Sequence, residues 1–259
     1  MLLQPFVAAL IALHAVSWTV IPALACAILM FLVRGPLTTL ARQRWVWRDQ
    51  RPETVTARHR LTLQMILLTP AGLWLAMIWP WWIVAAMGGA AALLTALAVW
   101  VTIRNRQRAI WFQALSAAGL AGSCVAACLA VTGRVPAWCW WWWGLHAVHF
   151  LAGILVVHVR LQARIDSRKS PGALAPAYRE ARREAVIVQS VIVAGSAVLI
   201  GLGLWWYAAA VLFSASVHWW ELARAHRPES LSTPMNKVGQ RALAVSVVFA
   251  VLLIFGVWL

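Results

Sequence analysis

Acidic side chains are scarce in this sequence: seven Asp and Glu stand against 22 Lys and Arg in 259 residues, and charged residues of both signs make up only 11%. Soluble domains carry about 25% charged residues, so there is too little charge here to cover a water-facing globule. The charge is also missing from long stretches. Residues 1–33, 61–103, 109–133, 135–159 and 242–259 contain no Asp, Glu, Lys or Arg, and 185–223 contains only Glu221. A helix needs about 20 apolar residues to cross the hydrocarbon core of a bilayer. Most of these runs suffice for one crossing, and two or three of them for more. The sequence reads as an integral membrane protein.

The basic excess falls between the apolar runs, so it signals orientation and contact with anionic lipid headgroups rather than nucleic acid. Cysteine is sparse as well. Cys26, Cys124, Cys128 and Cys139 lie inside apolar runs; Cys124 and Cys128 share a helix face, but a pair at that spacing makes a poor metal site and reads as packing. No basic segment precedes the first apolar run, as a cleavable signal peptide would require.

The predicted architecture is all-α, a single polytopic transmembrane domain over 1–259. It has about nine helices, or eight if the N-terminal run is one span. Residues 1–33 would make about 50 Å of helix at 1.5 Å per residue, more than one crossing. The pattern therefore predicts a short first helix near 2–13, a turn over His14–Ser17 and a second helix near 17–36. Further spans are expected at 61–79, 82–103, 109–131, 138–160, 185–204, 206–223 and 242–259. Turns at Trp79-Pro80, Gly133-Arg134-Val135-Pro136 and Trp205-Trp206-Tyr207 separate neighbours, proline being unable to continue the preceding helix normally.

Of the 22 basic residues, 21 fall in the loops 34–60, 104–108, 160–184 and 224–241. The positive-inside rule makes that side cytoplasmic. Nine spans then predict a bacterial plasma-membrane protein with its N-terminus inside and C-terminus outside. Tryptophan fits the same map. Trp79, Trp81, Trp82, Trp138, Trp140–Trp143, Trp205, Trp206 and Trp258 fall at the opposite helix ends, where indole rings form an interfacial belt. The Trp140–Trp143 run could instead line a quinone or sterol site.

Polar residues are costly inside a membrane and are functional candidates by default. On the helix over 138–160, His146, His149, Arg160 and Arg164 fall within one sector of about 60°. On the helix over 206–223, Ser214, His218 and Glu221 form a second stripe, and His149 and His218 are expected at similar depth. His146, His149, His218 and Glu221 thus outline a candidate cavity opening toward the basic side. Gln64, Gln113, Gln189 and Ser190 read as interhelical hydrogen-bonding groups. The arginine fork matches phosphate oxygens two at a time. Arg34 and Arg42 at one helix end, with Arg160 and Arg164 at another, are therefore candidate phosphate ligands, beside a plainer role as topology signals.

The opening Met1-Leu2-Leu3-Gln4-Pro5-Phe6, the Arg34-Gly35-Pro36-Leu37 helix end, Val157-His158-Val159-Arg160 and the closing Lys237-Val238-Gly239-Gln240-Arg241 resemble the YwiC-like bacterial membrane proteins. Members usually carry a His-Gly-Ala-Trp stretch before the first helix. Its absence predicts a true start upstream of Met1. The resemblance implies no activity. A looser likeness is to the UbiA-type prenyltransferases, nine-helix enzymes whose aspartate-rich second and sixth helix ends hold Mg²⁺ and a prenyl diphosphate. The matching ends here carry Arg34, Arg42 and Arg44, and Arg160 and Arg164, with Asp166 the sole carboxylate in the second. Mg²⁺ wants carboxylate oxygens, so the likeness implies the layout without the metal chemistry.

Three readings follow: a protein binding a lipid or lipid phosphate in a cytoplasm-facing cavity, a small-molecule or proton-coupled transporter, and a haem- or quinone-binding redox partner using His14, His146, His149 or His218. The last is disfavoured because His14 is expected far from His149, and no tightly bound haem is predicted. Membrane lipids and anionic headgroups are the expected partners. The sequence names no cofactor, reaction or oligomeric state.

Overall fold

The computed structural model describes residues 2–47, 49, 51–106, 109–169, 176–225, 227 and 231–259; Arg48 and Arg108 of the basic loops lie outside them. Among the described residues, the long elements are α1 (Leu3–Leu13), α2 (Val20–Trp45), α3 (Pro52–Ile78), α4 (Trp81–Ile103), α5 (Ile110–Ala121), α6 (Ser123–Thr132), α7 (Ala137–Lys169), α8 (Pro176–Gly201), α9 (Trp205–Arg224) and α10 (Met235–Trp258). Prolines open several of them, at Pro52 and Pro176, and Pro80 and Pro234 stand just before two others. Their missing N–H falls where no intrahelical partner is available. His14, Gly133 and Gly203 take left-handed backbone at the exits of α1, α6 and α8, which turns the chain sharply.

Among the described residues, seven rods are long and apolar enough to cross a membrane: α2, α3, α4, the α5–α6 pair as one span, α7, α8 and α10. The protein is a polytopic helical bundle. At 20 residues, α9 reaches about 30 Å and is packed among α7, α8 and α10. With 11 residues, α1 reaches only about 16 Å, half the hydrocarbon thickness. Gln4 Nε2 donates to Ser246 O at 2.8 Å, and Ala12 O accepts from Trp258 Nε1 at 3.3 Å. So α1 runs beside the second half of α10 and covers only the depth next to the tryptophan-rich ends.

Several helices run past the expected boundaries. Pro36 does not end α2, which continues to Trp45. Proline removes one helical bond, but packing on α3 and α4 holds the rod, as neighbours often do in membranes. Thr38 and Thr39 hydroxyls also donate to the carbonyls of Arg34 and Gly35. At the basic side α3 and α8 start nine residues before their expected spans, and α7 ends nine after. The 33 residues of α7 make about 50 Å of helix, well beyond a bilayer core of about 30 Å.

Helices α2, α3 and α4 pack together at one edge, α2 also touching α6; α7 packs on α5, α8 and α9, and α10 on α9 and α1. Alanine dominates the contacts. Ala9, Ala126, Ala127, Ala208, Ala210 and Ala215 are buried in one cluster, and small side chains let helix backbones approach closely. Leu63, Ile66, Leu73, Met77 and Leu93 of α3 and α4 are exposed, as a lipid-facing surface requires. The tryptophans divide: Trp81, Trp82, Trp140, Trp141 and Trp205 are exposed at helix ends, as a belt predicts, but Trp79 and Trp142 are buried. Trp142 packs edge-on to Trp138 and belongs to the core.

Candidate functional site

A seam of buried polar side chains runs between α7, α9 and α10. Its basic-side end is an ion pair: Arg160 Nη2 of α7 lies 2.6 Å from Glu221 Oε2 of α9, both side chains at most one-tenth exposed. Arg241 Nη1 of α10 approaches the other carboxylate oxygen at 3.7 Å, with its own side chain half exposed. One carboxylate therefore ties three helices together where the bundle meets the basic loops. A buried pair holds only if each charge keeps its partner, since a lone buried ion loses several kcal/mol of hydration.

Further in, the histidines meet. The His149 and His218 rings stack with centroids 5.8 Å apart, and Phe249 stacks on His149 at 4.3 Å. His149 Nδ1 lies 2.7 Å from Ser214 Oγ, and its Nε2 lies 2.9 Å from Ser246 Oγ. The network assigns the tautomer. Ser246 spends its one hydroxyl proton on Ala242 O at 2.9 Å, so toward His149 it accepts and Nε2 must donate. Nδ1 then accepts from Ser214. His146 is fixed similarly: Trp142 O can only accept, so Nδ1 donates to it at 2.9 Å, leaving Nε2 to accept from Gln4 Nε2 at 3.3 Å. Both rings have both nitrogens engaged. His218 differs, for its Nδ1 is buried without a partner.

The four residues expected to outline a cavity are thus brought together, as a closely packed seam. The four arginines are not brought into one phosphate site. Arg160 is held by Glu221; Arg164 turns its fork onto the carbonyls of Leu231 and Thr233 ahead of α10. Arg34 lies over the Phe112 ring of α5 at 5.6 Å, and Arg42 is half-buried near the end of α2. His14, at the end of α1, stacks on Trp258 at 4.5 Å. Gln113 and Gln189 are buried, Gln64 half-buried and Ser190 exposed. Cys139 Sγ sits 3.9 Å from Cys124 Sγ beside buried Cys128. Among the described residues, no group of three His, Cys, Asp or Glu could hold a metal ion.

Sequence reasoning missed Gln4, Ser246 and Arg241 as members of the seam. Ser246 was detectable as a hydroxyl within an otherwise apolar run. Gln4 was not, because only the contact of the first and last helices places it beside His146.

A second feature lies at the other edge of the bundle. A groove of about 680 Å³ runs between the final turns of α2 and α4, lined by Leu37, Leu40, Ala41, Trp45, Val99, Trp100 and their neighbours, with Arg44 and Arg104 among them. Arg104 stands over the Trp100 ring at 5.1 Å, and both arginines are exposed.

Residues 1–128 match the YwiC-like protein family. Over that half, the chain is a YwiC-like protein. No curated protein and no solved structure matches it. The YwiC-like half runs from α1 into α6 and contains the whole α2–α4 groove, whereas Gln4 is its only member of the histidine seam.

Proposed function

We propose that this YwiC-like membrane protein binds an anionic phospholipid in the groove between α2 and α4. The acyl part lies along Leu37, Leu40, Val99 and Trp100, and Arg44 and Arg104 hold the phosphate at the basic end. The supporting observation is the groove itself. Its volume is in the range of ligand sites, its walls are apolar, and its two cations sit at the helix ends that carry the basic loops. The UbiA-type layout contributes the idea of a site at these ends, without its metal. By the positive-inside rule this end faces the cytoplasm, where anionic headgroups attract cations by about 1 kcal/mol per charge. A bidentate arginine–phosphate contact contributes more, roughly 1.5–3 kcal/mol.

Native mass spectrometry of the detergent-purified protein with phosphatidylglycerol tests this. The double substitution Arg44→Ala/Arg104→Ala should weaken retention of the lipid about tenfold or more, while Arg134→Ala, at the tryptophan side, should leave it unchanged. Equal retention by all three proteins would reduce the arginines to topology signals.

A further inference from the structure

Three histidines lie in the interior of the bundle, and they are not equivalent. His146 and His149 have both ring nitrogens engaged, so each could take a proton only by breaking an existing hydrogen bond. His218 is equally buried, yet its Nδ1 has no partner. A polar atom left bare in a membrane interior costs stability, and a purely architectural histidine would be expected to use it. Gln189 of α8 shows the same feature: it is fully buried, and neither amide atom has a partner. Its helix packs on both α7 and α9. Counted from the tryptophan-side helix ends, His149, His218 and Gln189 all lie about 18–20 Å in, so His218 and Gln189 share one level.

Of the charged groups near His218, Glu221 favours a proton there and Arg160 and Arg241 oppose it. Glu221 lies three residues on along α9, on the same face and toward the basic side. Arg160 of α7 and Arg241 of α10 hold that carboxylate. His149 of α7 faces the ring itself, and α8 contributes uncharged Gln189 at this level. Arg241 is half exposed, so the ion pair reaches the molecular surface at the basic end. Toward the tryptophan side lie Phe249, Trp142 and Phe6, buried in one apolar cluster.

We propose that His218 is a proton-binding site inside the membrane, reached from the basic side past Glu221 and Arg241. A hydronium ion at that end supplies the proton; its O–H bond breaks, an N–H bond forms at the lone pair of the imidazole, and water is left. Release reverses the step. The imidazolium then competes with Arg160 for Glu221, so that loading the site loosens the tie between α7, α9 and α10. This inference is independent of the lipid site, which lies at the far edge of the bundle.

The test is a ¹⁵N-histidine NMR titration of the protein in lipid bilayers between pH 4 and 9, with the His218 signal assigned by its loss in His218→Asn. The signal should titrate within this range. Glu221→Gln removes the neighbouring negative charge and should lower the midpoint by about one pH unit, a tenfold loss of proton affinity. Because that change could unfold the bundle, Arg241→Ala provides a second reading at a half-exposed position. It removes a like charge and should raise the midpoint. A His218 signal that does not titrate, or a midpoint that Arg241→Ala leaves unmoved, would overturn the proposal.

Discussion

Glu221 shows how much one side chain can be asked to hold. Its carboxylate faces Arg160 and Arg241 across two helix interfaces, so its removal strands a buried guanidinium. Glu221→Leu should therefore destabilise the protein by about 3–5 kcal/mol, whereas Arg160→Met with Glu221→Leu should recover most of that loss. Chemical unfolding in detergent of the two variants checks the difference; equal losses would mean that the pair is not coupled. The residues of this seam were only partly legible in the sequence. Counting along each helix put His149 and His218 at similar depth, and their rings stack. Of the partners that fix the histidine tautomers, Gln4 and Ser246 come from α1 and α10, and periodicity within a helix says nothing about which helices meet. The arginines are a related case. Spacing puts them on helix ends, but whether a guanidinium faces phosphate or a carboxylate depends on the neighbouring helix.

At the scale of whole helices, the positions of the spans were legible and their basic-side ends were not. Charge-free runs report where hydrocarbon begins, and α3, α7 and α8 simply continue as helix into water. Residues 178–185 of α8 alternate accordingly: Tyr178, Ala181 and Ala185 are buried, while Arg179, Glu180 and Arg182 are exposed. That periodicity, present in the sequence, could have extended the helix. Contact between α9 and α10 carries its own prediction. A Cβ placed on Gly256 would lie 2.5 Å from Cε1 of Tyr207, too close for the helices to keep their separation. Gly256→Ala should lower stability by about 1–3 kcal/mol through overpacking, and adding Tyr207→Leu should restore part of it. Thermal unfolding of both variants measures the effect, and an unchanged midpoint for Gly256→Ala would show that the helices part easily.

For the molecule as a whole, sidedness is the property on which the lipid and proton proposals both draw. In intact cells, with the native cysteines replaced, Cys at Glu53 should resist an impermeant maleimide and Cys at Val135 should react; the reverse would invert the bundle. The path of the chain through the bundle has a different consequence, one of timing. The first helix finds its partners in α6, α7 and α10, and the bond from Trp258 to Ala12 closes a separation of 246 residues. At roughly 5–20 residues per second of synthesis, about 10–50 s pass between the making of α1 and the arrival of that partner. During that interval Gln4 meets His146 only after 142 further residues and Ser246 only after 242. The newborn chain thus has a waiting period built into its topology, and it ends when α10 leaves the ribosome.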